Sequence, residues 1–478
     1  MSLKNNFLFN SILTVAGYIF PIITFPYVSR VLGVENIGIC NFIDGVIDYY
    51  ILFATLGIGS VGIREIAKCA DDQNKRNTVF SSLIFISFIS TSVVLMIFVI
   101  SINTVPQFEA YKSLLWIGIS KLIFSLFLVE WLFQGMQNFK FITIRAILIR
   151  AVYVIAVFIF VKNKEDYIIY YVLICSTIGI NAFFNVLYSR KYVKFSIQNI
   201  QLKHFIKPFI VFGLNKVLIS LYTTFNVIYL GLISSKIEVG YYTTSIKLFG
   251  IIIAFFSALT GVIIPKMSFY ISNKQFSEVQ LLVYKTTNIL LTISLPIIIF
   301  SEFFAKDIIY MIAGTGYEGA VLPFMIVMPL MLIIGLAQIY NQQLLMCLDD
   351  NKGMIITTLL AAIVGISLNV LLVNTFHSIG SAFSWLFTEI ISLCFAVYFV
   401  GKKINISFPF KNIMMNLLLS IPYIIIFFFS TMFIDSIWIS LILSIVFTLL
   451  YFVLLHLYIQ RNEIIYNILV DLKNKYYL

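Results

Sequence analysis

Long, predominantly apolar runs recur along the whole chain. They lie near 7–30, 37–63, 79–102, 112–134, 141–161, 167–188, 206–233, 238–265, 280–302, 321–344, 354–373, 379–401, 411–432 and 436–458. An α-helix needs about 20 residues to cross the roughly 30 Å hydrocarbon core of a bilayer. Each run is long enough for one crossing. The runs lack the two-residue alternation of a membrane barrel strand. The fold expected is therefore an all-α polytopic membrane protein of about 14 transmembrane helices. Composition agrees: 61% of residues are hydrophobic and 11% charged, against about 25% charged in soluble domains. A chain this apolar cannot cover its own surface in water.

The formal net charge is +11. In a soluble chain this would raise nucleic acid as a partner. Here the charges sit in short loops between spans, where Lys and Arg hold loops on the cytoplasmic side, and no nucleic-acid partner is expected. With the N-terminus inside, the inner loops and tails carry 20 Lys and Arg, and the outer loops six: Arg30, Lys112, Lys162, Lys164, Lys236 and Lys306. Both termini are expected to be cytoplasmic. The N-terminal stretch carries no small-residue cleavage site and reads as the first span rather than a signal peptide. The longest loops, 189–205 and 303–320, are too short for a soluble catalytic domain. Five scattered cysteines, largely inside apolar segments, and three isolated histidines offer neither a CxxC pair nor metal-ligand spacing. No cofactor is expected.

A faint repeat accompanies the spans. A shift of 202 residues lays Tyr27 on Tyr229, Gly38 on Gly240, Phe53 on Phe255, Gly59 on Gly261 and Arg64 on Lys266. Spans one and two fall on spans seven and eight. An even number of spans separates the copies, so both keep one orientation, and the pseudo-two-fold axis runs along the membrane normal. Two six-helix lobes around a central cavity are expected. The N-lobe is 1–188, a cytoplasmic linker 189–205, the C-lobe 206–401, and 402–478 hold two further helices and a cytoplasmic tail.

Charges inside spans are costly and face a cavity or a partner. The cations are Lys121, Arg145, Arg150, Lys216, Lys247 and Lys285; the anions are Asp44, Asp48, Glu130 and Glu389. Arg145, Lys285 and Glu130 lie near inner ends, where snorkelling or structural pairing accounts for them. Lys216 and Arg150 fall mid-span. Two readings stand for them: an ion pair with Asp48 or Glu389, or a hydrated cavity. Gly213, Lys216, Ser220 and Thr223 recur at three or four residues on one helical face. Asn10, Thr14, Gly17, Pro21 and Thr24 form a matching stripe in span one, where the shift lays Thr14 on Lys216 and Pro21 on Thr223. A small-residue packing face explains the same stripes. Asp44 and Asp48, four apart, share a face of span two. They read either as an ion- or proton-coupling pair or as structural partners of a lysine, with Lys247 as the cross-lobe candidate. Gly57 to Gly62 matches GxGxxG, but no strand precedes it, so close helix packing is expected there.

Pro26-Tyr-Val-Ser-Arg-Val-Leu-Gly33 followed by Ile37-Gly38 resembles the first span and loop of the Wzx type of bacterial polysaccharide (O-antigen or capsule) repeat-unit flippases. Glu130-Trp-Leu-Phe-Gln-Gly-Met-Gln137 is similar to their fourth span, and Asn226–Gly231, Val239-Gly-Tyr-Tyr242 and Ile264-Pro-Lys266 to their seventh and eighth. Gly314-Thr-Gly-Tyr-Glu-Gly319 resembles the outer loop before span ten. The resemblance covers most of residues 1–400. It implies the multidrug/oligosaccharidyl-lipid/polysaccharide exporter fold in the bacterial inner membrane. It also implies a substrate, an oligosaccharide linked through pyrophosphate to undecaprenol, moved to the outer leaflet by alternating access. Proton or sodium coupling and polysaccharide assembly proteins as partners come with it; no sugar-contacting residue carries over. Under this reading Lys216, with Arg150, Lys247 and Lys121, forms the cationic phosphate-binding set. Asn10, Thr14, Ser220 and Thr223 line the cavity, and Asp44, Asp48 and Glu389 are ion-coupling candidates.

Two other functions compete. A drug or cation antiporter of the same fold calls for a more acidic, aromatic cavity than six internal cations against four anions provide. A membrane polysaccharide polymerase or ligase calls for a large outer loop with Arg or His. Transport itself needs no covalent chemistry, so no enzyme is expected.

Overall fold

The computed structural model describes residues 3–196, 200–434 and 436–454. Its helices are α1 (Leu3–Thr55), α2 (Ile58–Lys68), α3 (Gln73–Thr104), α4 (Lys112–Ser125), α5 (Glu130–Gly135), α6 (Phe139–Phe160), α7 (Tyr167–Ser189), α8 (Leu202–Ser220) and α9 (Thr224–Ile233). They continue as α10 (Lys236–Ser272), α11 (Phe276–Phe303), α12 (Ala305–Ala313), α13 (Val321–Val327), α14 (Leu330–Gln338), α15 (Asn351–Lys403), α16 (Phe410–Leu419), α17 (Ile421–Phe433) and α18 (Ile437–Leu454). The expected tail beyond residue 454 lies outside the described residues.

Two of these helices are hairpins. Within α1, Gly33 takes φ 76° and ψ 169°, a conformation open to a residue without Cβ. The first arm follows α6: Phe9 O accepts from Thr143 Oγ1 at 2.9 Å, and Tyr27 OH donates to Val161 O at 2.7 Å. Beyond Gly33 the chain turns back. Asn36 Nδ2 meets Lys164 O at 2.8 Å, and Gly57 ends against Phe209 and Gly213 of α8. The break in α15 is at His377, with φ 48°, and its arms return far enough to bring Gly353 beside Phe399. Among the described residues, nine helices are long and apolar enough to cross a membrane, or ten if the bent pair α8–α9 is one span. With α1 and α15 crossing twice and α10 and α18 added, the set is compatible with fourteen crossings.

In lipid, helices gain little from apolar burial against each other, so small residues and hydrogen bonds carry their association. The GxGxxG stretch behaves this way. Gly57 packs on Phe209 and Gly213, and Gly62 on the Trp131 ring.

The repeat is written into the contact between halves. A Cβ on Gly38 would fall 1.7 Å from Lys236 O, and one on Gly240 would fall 2.3 Å from Val34 O. The two contacts exchange under the 202-residue shift, as the faces of a two-fold interface must. Asn41 Nδ2 donates to Thr243 Oγ1 at 2.9 Å, and these two residues are themselves 202 apart. Gly45 packs on Val227, and its counterpart Lys247 sits 5.0 Å from the ring of Phe25, the counterpart of Val227. This seam lies toward the end of the bundle that holds Gly33 and His377, the end opposite the basic loops. Lys236 reinforces it, with Nζ 4.0 Å from the Phe42 ring centroid. So does Tyr317, whose OH donates to Ser29 O at 3.3 Å.

The copies differ in where their helices break: the N-half chain breaks between Thr55 and Ile58, while α10 runs on from Lys236 to Ser272. α8 and α9 break at 221–223 with a 51° bend. The matching stretch of α1 stays helical through Pro21 and Pro26. Irregular backbone at membrane depth is tolerated where it is packed on protein or lines a polar cavity; Thr223 and Thr224 line one.

Candidate functional site

Two cavities adjoin at Lys247. The larger, about 560 Å³, lies between the first arm of α1, α6 and α7, on the basic side of the seam. Gly17, Thr24, Glu130, Arg150, Thr177 and Asn181 line it, and α10 contributes Lys247 from the other half. The smaller, about 310 Å³, lies between the halves and is lined by Asn41, Asp44, Asp48, Thr223, Thr224, Lys247 and Trp385.

Arg150 projects from the middle of α6. Its Nη1 reaches Leu13 O at 3.4 Å, a long hydrogen bond. The guanidinium lies alongside Gly17 of the first arm of α1. Lys247 Nζ donates to Asn41 Oδ1 at 3.0 Å, so a C-half ammonium is held by an N-half amide. The one carboxylate lining the larger cavity, Glu130, accepts a charge-assisted bond from Arg145 Nη2. With Glu130 offset, Arg150 and Lys247 leave the cavity cationic.

The acidic pair of span two is engaged within its own half. Lys121 Nζ lies 2.6 Å from Asp44 Oδ1 and 2.7 Å from Asp48 Oδ1. The four-residue spacing puts both carboxylates on one helical face, and α4 brings the lysine to that face. The partner of the pair is thus Lys121 rather than Lys247. Lys121 lines neither cavity, and its charge is held by two anions.

The other expected residues scatter. Lys216 is exposed on α8 and lines neither cavity. Ser220 is buried, its hydroxyl donating to Val217 O at 2.7 Å. Thr223 lines the smaller cavity. Asn10 and Thr14 are exposed near the start of α1, with Thr14 Oγ1 bonded to Asn10 O at 2.9 Å. Glu389 is buried on the second arm of α15, where Trp385 Nε1 donates to Oε1 at 3.2 Å. Asn41, Thr177 and Asn181 are cavity residues that the sequence argument passed over. Asn41 had a signal: it lies one helical turn before Asp44, and the shift lays it on a second polar residue, Thr243. Among the described residues no cluster of three or more His, Cys, Asp or Glu could hold a metal ion.

Comparison with known proteins places this architecture. The chain superposes on a structure titled "Lipid II flippase MurJ, inward closed conformation" with TM-score 0.76 and 14% identity, over 94% of this chain and 98% of that one. It matches an inward-facing multidrug resistance MATE family transporter of the MOP superfamily with TM-score 0.62 and 13% identity, over 84% and 96% of the two chains. At these identities the likeness is one of fold. In sequence it is 29% identical over 409 residues to a protein of Escherichia coli (strain K12) named "Putative O-antigen transporter", covering 84% of this chain and 98% of that protein. A second protein with that name, from Shigella dysenteriae, is 24% identical over 398 residues, 82% of this chain and 98% of its own. The model of the family described as polysaccharide biosynthesis protein matches residues 3–271, more than half of the chain, and the chain belongs to that family.

Proposed function

We propose that the protein is a flippase for lipid-linked oligosaccharides. It carries undecaprenyl-pyrophosphate-linked repeat units from the cytoplasmic to the outer leaflet of a bacterial inner membrane by alternating access. The observation that carries the reading is the larger cavity, where Arg150 and Lys247, with Thr24, Thr177 and Asn181, place polar and cationic groups in an otherwise apolar lining, with Glu130 offset by Arg145. An anionic, hydroxyl-rich head group cannot cross hydrocarbon unaided. A hydrated cationic lumen lowers that barrier while the lipid tail stays in the bilayer. The relatives' names and the fold support the same class. The loop charges support cytoplasmic termini, which turns the basic face, and with it the larger cavity, toward the cytoplasm.

Arg150 grips a phosphate through paired N–H groups, and Lys247 acts as a point charge. Because Lys247 belongs to the C-half, a phosphate bound between it and Arg150 links the halves and biases their arrangement. Lys216 joins this set in a conformation where α8 turns toward the lumen. Asp44 and Asp48, held by Lys121, and Glu389 are the groups through which a proton or sodium gradient would act. Assembly proteins of the polysaccharide pathway are the partners this role entails. The cationic lining disfavours a cationic drug as cargo.

The test is export of glycan by cells lacking their own transporter. Arg150→Ala and Lys247→Ala should reach the membrane at normal levels and lose export, while Arg150→Lys keeps part of it. Normal export by both alanine variants would overturn the site. Lys216→Ala separates a residue on the path, which loses export, from a bystander, which does not.

A further inference from the structure

On the flank of the N-half, α6 and α7 enclose an apolar groove of about 750 Å³. Ile144, Leu148 and Val152 form one wall, at the four-residue spacing of a single helical face. Ile180 and Phe184 form the other. All five side chains are exposed, so the groove opens laterally where lipid surrounds the bundle. Its basic-face end carries different chemistry. Lys140 is exposed at the mouth, and Phe141 stacks on Tyr188 with centroids 3.8 Å apart. Beneath Phe141 lies the guanidinium of Arg145, 5.5 Å from the ring centroid. The Arg145 side chain is only 4% exposed. Nη2 is taken by Glu130, but Nε and Nη1 are buried without a hydrogen-bond partner. Buried donors on a cation are unfavourable unless an acceptor reaches them.

We propose that this groove is a binding site for an anionic diacyl phospholipid of the leaflet at the basic face. An acyl chain lies along α6, and the phosphate sits at the mouth, beside Lys140 and over Arg145. Charge selects the head group: basic pockets between membrane helices on the positively charged side take anionic lipid heads. Length selects the chain. From Lys140 to Val152 the groove runs about 18 Å at 1.5 Å per residue, close to the roughly 15 Å of one leaflet. The far longer undecaprenyl chain would overrun it. The site is separate from the transport cavity and does not rest on which glycan is carried. Arg145 connects the two, because its third nitrogen holds Glu130 on the cavity wall. An occupied groove thereby fixes that carboxylate.

The test uses the full-length protein, delipidated in detergent, with bound lipid counted by native mass spectrometry. The probes are palmitoyl-oleoyl phosphatidylglycerol, phosphatidylcholine with the same chains, undecaprenyl phosphate and inorganic phosphate. Phosphatidylglycerol should be retained more tightly than phosphatidylcholine by about fivefold or more, the worth of one basic residue at an anionic surface. Lys140→Gln should remove most of that preference. Leu148→Trp, which fills the groove, should weaken both phospholipids, and Ile144→Trp is the substitute if that variant fails to fold. Equal retention of the two phospholipids would overturn the head-group site. Displacement of phosphatidylglycerol by undecaprenyl phosphate at equal concentration would assign the groove to the carrier lipid instead. Displacement by inorganic phosphate would reduce it to a free-anion site. Unchanged binding in the groove-filling variant would place the lipid elsewhere.

Discussion

Replacing Lys121 by Met removes an ammonium whose side chain is 9% exposed and that touches two carboxylates at 2.6 and 2.7 Å. At an effective dielectric of about 20, unit charges at that separation attract by roughly 6 kcal/mol. Two such contacts are opposed by the repulsion between Asp44 and Asp48 and by several kcal/mol of desolvation per ion. Asp48 remains 49% exposed and Asp44 29%, so water relieves part of the loss when the lysine goes. The expected cost of Lys121→Met is about 3 kcal/mol, the lower end of the range for breaking a buried pair. That is on the order of a 150-fold shift in the unfolding equilibrium. Reversible denaturation in mixed micelles, followed by tryptophan fluorescence, measures it. Asp44→Asn should cost far less in the Lys121→Met background than alone, with a coupling of about 1.5 kcal/mol or more in a double-mutant cycle. A Lys121→Met cost under about 1 kcal/mol, or no coupling, would show that water already screens the triad and that the lysine is not its organising charge.

Other outcomes follow from the same geometry. In a background lacking the five native cysteines, Asn41→Cys with Thr243→Cys should cross-link on oxidation and stop export, and reduction should restore it. A locked but active protein would mean that this seam does not open. Asp44→Asn with Asp48→Asn, Lys121 intact, should abolish dependence of export on the ion gradient; unchanged proton and sodium dependence would remove both residues from coupling. Reporter fusions at Lys194 and Gly316 should lie on opposite sides, the first cytoplasmic, and a shared side would break the topology. Asp72 caps α3 in the loop before it, accepting from Lys75 N at 3.1 Å, and that bond holds its carboxyl below the usual range. Because the folded-state value is depressed, the cap is intact at neutral pH and is lost only as pH falls below the ordinary carboxylate range. The protection of the Lys75 amide from hydrogen exchange, referred to its intrinsic rate at each pH, should fall there, and Asp72→Ala should lack that protection at every pH.

Apolar run length alone determined the fold class, because a helix must match the thickness of hydrocarbon whatever surrounds it. The 202-residue offset was legible for a related reason. Residues near a two-fold axis meet their own counterparts, so Gly38 and Gly240 had to stay small in both copies. The chemistry of the internal charges was not legible. Helical spacing put Asp44 and Asp48 on one face, yet nothing local said whether Lys121 or Lys247 would meet them. That depended on how α4 packs against the second arm of α1, 77 positions away. Lys216 looked central along its span, but a position along a helix does not fix its azimuth, and packing turned it out of both cavities. Arg150 and Lys247 lie a full domain apart in sequence and flank one cavity only because the halves close around the repeat axis. Sequence periodicity reports which residues share a helix face; which faces share a cavity is set by tertiary packing.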